Sequence, residues 1–153
     1  MDVRKVECQT LIIGAGTAGI EAYKSAVENG QDCVIVDSGP LGTTAQRSGE
    51  LPVSLLMDAG LSLHAIENLD ECGISFATKV KPDTSNVMVS LRAVRARATS
   101  EVLSFMYRIP ESKRIRGKAK FTDSHTVIVD GCIEITFKTA VIATGSSPLV
   151  TYE

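Results

Sequence analysis

The sequence predicts an α/β fold: a parallel β-sheet flanked by helices, with an antiparallel β-meander beside it. Three observations predict it. The stretch from Val6 to Asp37 reads strand, glycine turn, helix, strand. Two segments with apolar residues at helical spacing follow it. After Arg114 the pattern turns to short alternating strands around Asp130-Gly131, a strong turn dipeptide. This order of elements is that of a layered α/β domain. A length of 153 residues is that of one domain, 1–153.

In order, Leu11-Ile12-Ile13 close a short apolar strand, and Gly14-Ala15-Gly16-Thr17-Ala18-Gly19 follow at once. Ile20 to Asn29 has helical composition, with Gly30 where a C-terminal glycine belongs. Cys33 to Val36 is a second strand, ending on Asp37. Ser38 to Glu50, rich in glycine and hydroxyls, predicts a loop. Pro52 suits the first turn of a helix whose face is Leu55, Leu56, Ala59, Leu63 and Ile66. Pro82-Asp83 then signals a long helix over Thr84 to Arg108, striped by Val87, Leu91, Val94, Ala98, Val102 and Met106 and closed by Pro110. Ile115 to Phe121 predicts a strand interrupted by Gly117. Thr126–Val129 and Cys132–Phe137 predict a hairpin, and Thr139–Ala143 a last strand.

The glycine turn carries the chemistry. Gly14 permits a tight turn out of the strand. Gly16 lets a pyrophosphate approach the backbone, and Gly19 lets the helix pack against the strand. The helix N-terminus offers N–H groups and partial positive charge to phosphates. Asp37, eighteen residues after Gly19, stands where a carboxylate accepts hydrogen bonds from an adenosine ribose. The turn by itself does not separate FAD from NAD. A strand ending in Ala143-Thr144-Gly145 adds a hydroxyl and a bare backbone at the carboxyl edge of the sheet, where ligands bind in open α/β sheets.

Composition narrows the rest. The chain is 44% hydrophobic and 22% charged, with a net charge of −2, which is ordinary globular composition. Between Arg92 and Lys120 stand nine Lys or Arg against Glu101 and Glu111, a net of +7. With no Trp and few aromatics to stack on bases, this reads as a solvated basic surface and not a nucleic-acid site. No run reaches membrane-spanning length, and no apolar leader precedes the turn. Cys8, Cys33, Cys72 and Cys132 show no CxxC or metal-ligand spacing and read as buried thiols of a reducing, cytoplasmic compartment. His64 and His125 assemble no catalytic triad or metal set.

Four stretches together resemble the N-terminal FAD-binding region of the flavoprotein disulfide reductases, most nearly the dihydrolipoamide dehydrogenase branch. They are Gly14–Gly19 with Asp37; Gly42-Thr43-Thr44; Ile115-Arg116-Gly117-Lys118-Ala119-Lys120-Phe121; and Ala143-Thr144-Gly145-Ser146-Ser147-Pro148. The resemblance implies a Rossmann-like FAD/NAD(P)-binding fold, with FAD as cofactor. It implies that Gly14, Gly16, Thr17, Ala18 and Gly19 hold the pyrophosphate, with Asp37 at the adenosine ribose and Ser38 also among the cofactor-binding residues. Gly42, Thr43 and Thr44 would lie along the pyrophosphate and ribitol. Ala119 would offer backbone groups to the adenine, while Ala143, Thr144 and Gly145 close over the cofactor. The family's two redox cysteines fall at positions that here read Ala45 and Glu50, and its following Ser and Lys read Val53 and Ser54. Gly49 and Pro52 of the same frame are kept. The thiolate pair that exchanges electrons with the flavin is therefore absent. The resemblance stops short of the family's NAD-binding and dimerisation domains and of the segment that completes the FAD domain. An open sheet edge, and with it self-association or a longer polypeptide context, is the structural expectation. Beside an FAD-binding domain, two other readings stand: an inactive fragment or scaffold that keeps the fold without tight flavin, and an NAD-dependent dehydrogenase. The lack of a catalytic His, Lys or Tyr arrangement speaks against the dehydrogenase.

Overall fold

The computed structural model describes residues 3–41, 43–47, 49–78, 80–146 and 149. They fall into two compact units. The first holds the residues up to Thr43 together with those from Leu103 onward; the second is Thr44–Val102.

The first unit is built on six strands: β1 (Arg4–Ile13), β2 (Cys33–Asp37), β3 (Arg114–Arg116), β4 (Ala119–Phe121), β5 (Thr126–Val129) and β6 (Ile133–Ile142). Their order in one sheet is β3-β2-β1-β6-β5-β4. The pairs β1–β2, β1–β6 and β2–β3 are parallel, whereas β4–β5 and β5–β6 are antiparallel. The parallel sheet and the meander expected from the sequence are thus one mixed sheet. The two segments expected as separate strands on either side of Lys138 are the single strand β6.

The segment Ile115–Phe121, expected as one interrupted strand, is two, and they occupy opposite edges of the sheet. Gly117 and Lys118 alone join them. A flat six-stranded sheet is about 24 Å wide, and this link spans at most about 11 Å. The sheet must therefore bend until the end of β3 and the start of β4 come together. At this link Gly117 N–H donates to the Asp37 carbonyl of β2 (3.0 Å), while Lys118 N–H donates to Asp130 Oδ1 (2.8 Å) and Asp130 N–H to the Lys118 carbonyl (3.2 Å), extending the β4–β5 pairing. Gly117 sits there at φ +150°, and a Cβ on it would press on Asp130 Oδ2 and Val129. The core fills the inside of the bend: Leu11, Ile13, Val34, Val36, Ile115, Val127, Val129, Ile135 and Phe137.

Strands β1 and β6 change step together halfway along. Gln9 and Thr10 N–H both donate to the Asp32 carbonyl, at 2.9 and 3.0 Å, as at a β-bulge. Val6 and Cys8 face the core before this point and Leu11 and Ile13 after it; along β6, Ile133, Ile135 and Phe137 are followed by Ala140. The first halves of the two strands carry the meander and the second halves carry β2 and β3. Phe137 N–H still donates to the His125 carbonyl at 3.0 Å; beyond it, β6 is paired on its β1 side alone among the described residues. The Asp130-Gly131 turn forms as expected: both residues have positive φ, 47° and 72°, and Cys132 N–H closes onto the Val129 carbonyl at 3.1 Å.

Helix α1 (Thr17–Glu28) begins three residues earlier than its apolar pattern, because the second half of the glycine turn is already helical. It buries Gly19, Ile20 and Tyr23, and the Tyr23 ring meets Phe105 edge to face at 6.4 Å. In the second unit, the expected loop contains a short helix, α2 (Thr44–Arg47), before α3 (Glu50–Glu67). Along the anticipated α3 face, Leu55, Leu63 and Ile66 are half-buried, and Leu56 and Ala59 are exposed. A 3-10 turn, Leu69–Cys72, intervenes before Gly73 at φ +77°. Helix α4 spans Thr84–Arg108 as expected, with Asp83 Oδ1 accepting from Asn86 N–H at 3.0 Å as its N-terminal cap. Of its stripe, Leu91 and Met106 are buried and Val94 is exposed. No helix among the described residues is long and apolar enough to cross a membrane.

The cysteines divide. Cys33 is buried and Cys8 half-buried, whereas Cys72 and Cys132 are exposed, contrary to expectation. Cys72 ends the 3-10 turn, and Cys132 closes the hairpin. Burial, reinforced by the Asp32 carboxylate, pushes the Cys8 thiol up to about 11. Burial raises Cys33 as well. The thiolate is the reactive form, so in mildly alkaline buffer an aromatic disulfide reagent should titrate two thiols per native chain quickly and the other two only after denaturation. Four fast thiols would contradict the burial of Cys8 and Cys33.

Candidate functional site

The carboxyl ends of β1, β2, β3 and β6 lie side by side, and the sequence motifs converge on them. Gly14 leaves β1 at φ +107°, its N–H donating to the Val36 carbonyl at 2.7 Å. Ala143 N–H, at the end of β6, donates to the Ile13 carbonyl at 2.8 Å. The two backbones touch so closely that a Cβ on Gly14 would run into the Ala143 carbonyl. A Cβ on Gly19 would run into the Gly14 carbonyl. These two glycines are required by protein packing.

Gly16 is different. Its φ is −75°, open to any residue, and no atom stands within 4 Å of the place its Cβ would take. It is the N-cap of α1, with no side-chain cap and no acid in the first turn. Thr17 and Ala18 of that turn are exposed. Nothing in the protein itself calls for glycine there. The site is a half-open helix N-terminus suited to an anion.

Asp37 reaches this turn directly. Its Oδ2 accepts from Ala15 N–H at 2.5 Å and its Oδ1 from Gly39 N–H at 2.7 Å. Its backbone carbonyl accepts from Gly117 N–H at 3.0 Å. Each carboxylate oxygen keeps capacity for a further donor. Ser38 beside it is exposed.

Of the remaining expected positions, Thr43 is buried and Thr44 opens α2 in the second unit. Gly42 lies outside the described residues, as do Ser147 and Pro148. Thr144 and Gly145 are exposed just beyond β6, with Gly145 at φ +70°. Ala119 lies on β4, two residues beyond the Gly117 bonded to Asp37, paired with Val129 and packed against the core.

One feature escaped sequence reading. A cleft of about 460 Å³ opens along the β2–β3 edge of the first unit, a size typical of small-molecule sites. Ile35, Leu41, Leu103 and Met106 contribute to its apolar lining, and Asp37, Glu111, Arg114 and Arg116 are its charged groups. Arg114 lies over the Tyr107 ring at 4.6 Å and donates to the Met106 carbonyl at 3.2 Å. Its residues come from two distant stretches, 35–41 and 103–116. The alternation that puts Ile35 and Asp37 on one face of β2 was its only local signal. Among the described residues no cluster of metal-ligating side chains exists.

The family model for pyridine nucleotide-disulphide oxidoreductases matches residues 8–152. The chain belongs to that family. Its similarity to a dihydrolipoyl dehydrogenase of Geobacillus stearothermophilus is 33% identity over 147 residues, which is 94% of this chain and 31% of the relative. A mercuric reductase of Staphylococcus aureus is 31% identical over 140 residues, covering 92% and 25% of the two chains. Among solved structures, the HOCl-induced flavoprotein disulfide reductase RclA from Escherichia coli shares the fold with a TM-score of 0.67 at 20% identity, over 94% of this chain and 29% of that one. The chain thus spans between a quarter and a third of the length of these proteins.

Proposed function

We propose that this chain is the FAD-binding part of a dihydrolipoamide dehydrogenase-like flavoprotein oxidoreductase, and that it lacks the dithiol half of that chemistry. The observation that carries the reading is Gly16, a glycine that neither backbone angle nor packing demands, placed where a pyrophosphate would meet the N-terminus of α1. The donor set suits the group: a cap position without a side chain, a first turn without acid, and the carboxylate of Asp37 at the end of the neighbouring strand.

In this reading the turn Gly14–Gly19 holds the pyrophosphate, Asp37 and Ser38 serve the adenosine ribose, and the backbone at Ala119 serves the adenine. Thr144 and Gly145 close over the cofactor, and Gly42, Thr43 and Thr44 follow the pyrophosphate and ribitol. Bound FAD would supply two-electron redox chemistry. The protein's own contribution is binding and orientation. Ala45 and Glu50 offer no thiol, so electrons would have to leave by an acceptor other than a resident disulfide.

Titrating the purified chain with FAD, followed by flavin fluorescence and calorimetry, tests this. Saturable one-to-one binding is expected. No binding at high micromolar FAD would leave a fold retained without its cofactor, the inactive fragment or scaffold that the replaced cysteines also allow.

A further inference from the structure

Asp37 is hydrogen-bonded to all three turns that leave the parallel strands β1, β2 and β3. Its Oδ2 takes Ala15 N–H from the turn after β1, its Oδ1 takes Gly39 N–H from the turn after β2, and its carbonyl takes Gly117 N–H from the turn after β3. These contacts exist within the protein alone. An acid at this strand end is otherwise accounted for by the ribose it would meet, and that account leaves the two intramolecular carboxylate bonds unexplained.

We propose that Asp37 is the positioning residue of the site: its carboxylate fixes the glycine turn and the Gly39–Leu41 segment to each other before any ligand arrives. The chemistry favours this role. A carboxylate has two acceptor oxygens and no donor when ionised, so it can hold two N–H groups from different loops at once. Bonds of this charge-assisted kind are shorter and stronger than neutral ones. The side chain is also short, which limits how far the two turns can drift apart. Gly39 belongs to the same arrangement: a Cβ there would stand 3.3 Å from Asp37 Oδ1, so glycine at this position keeps the approach open. The Ala15 amide held by Asp37 is next to Gly16, so the orientation of the α1 N-terminus towards an incoming anion depends on this carboxylate.

The proposal rests on the location of the candidate site, and its test is independent of whether FAD binds. Amide hydrogen exchange of the ligand-free chain is compared for the parent, Asp37→Asn and Asp37→Ala. Asparagine keeps one acceptor and alanine none. Exchange at both Ala15 and Gly39 is expected to accelerate about tenfold or more in Asp37→Ala, the equivalent of one lost charge-assisted hydrogen bond. Asp37→Asn should protect one of the two amides and release the other. The Cys132 amide, bonded to the Val129 carbonyl in the remote hairpin, reports whether the fold is retained and should not change. FAD affinity measured in parallel should follow the same order, parent above Asp37→Asn above Asp37→Ala. Unchanged protection at Ala15 and Gly39 in both variants, whatever happens to FAD affinity, would overturn the positioning role and return Asp37 to a ligand contact alone.

Discussion

Replacing Gly16 with serine is expected to abolish tight flavin binding while leaving the protein as stable as before, or slightly more so. The two effects have opposite signs because they draw on the same backbone groups. Gly16 is the N-cap of α1, with φ −75° and ψ −175°, an extended conformation that serine adopts readily. Its Cβ would stand in open space. A serine hydroxyl at an N-cap accepts from the first-turn N–H groups, which is worth a few tenths of a kcal/mol over glycine. Those N–H groups are the ones a pyrophosphate would use. Serine therefore both fills the approach and competes for the donors. Losing two charge-assisted hydrogen bonds costs about 3 kcal/mol, or about a hundredfold in the FAD dissociation constant. Flavin titration beside urea denaturation of the apo chain measures both halves. Unchanged FAD affinity in a stable Gly16→Ser variant would show that the cofactor does not approach this turn, and the proposed function would lose its main support.

How much of this was legible in the sequence follows from the range of the interactions involved. The turn Gly14–Gly19, the helix after it and the acid at Asp37 are local, and strand, cap and turn chemistry identify them without any long-range information. The long helix Thr84–Arg108 was readable to the residue because its start is a side-chain cap at Asp83 and its end is set by Pro110. What was not legible depends on the sheet as a whole. Gly117 reads as a weak point in one strand, and only the sheet order shows it to be the corner at which the chain passes from one edge to the other. Lys138 reads as a break, yet β6 continues through it because β1 changes step at the same level. The α3 stripe reads as one helical face, but periodicity cannot say whether anything covers it. Likewise Asp37 was readable as an acceptor for a ligand, but its bonds to Ala15 and Gly39 were not, since one is a contact twenty-two residues away and the other lies in a turn of unremarkable sequence. The cleft beside it required β2, β3 and the last turns of α4 to be placed first.

Alanine at Gly14 should damage the fold itself, and this contrast separates the two kinds of glycine in the turn. Gly14 combines two penalties. Its φ of +107° is a conformation that alanine adopts only under strain. Its Cβ would be driven into the Ala143 carbonyl, which is backbone and cannot rotate away. Strain of about 1–3 kcal/mol and overpacking of similar size combine to about 3 kcal/mol or more. That is a large share of the roughly 5–15 kcal/mol that holds a typical domain together. For a chain of this length it lowers the melting temperature by about 6–12 °C. Gly19→Ala should be milder, because alanine gains about 1 kcal/mol of helix propensity inside α1, which offsets part of its collision with the Gly14 carbonyl. Thermal and urea denaturation of the apo variants should therefore rank them Gly16→Ser at or above the parent, Gly19→Ala below it and Gly14→Ala lowest. Flavin binding would fall in all three, but only in Gly16→Ser without a loss of stability. A Gly14→Ala variant as stable as the parent would mean that β1 and β6 do not meet at this carbonyl. The close approach of Gly14, Gly19 and Ala143, which packs α1 against the sheet and aims its N-terminus, would then have to be abandoned.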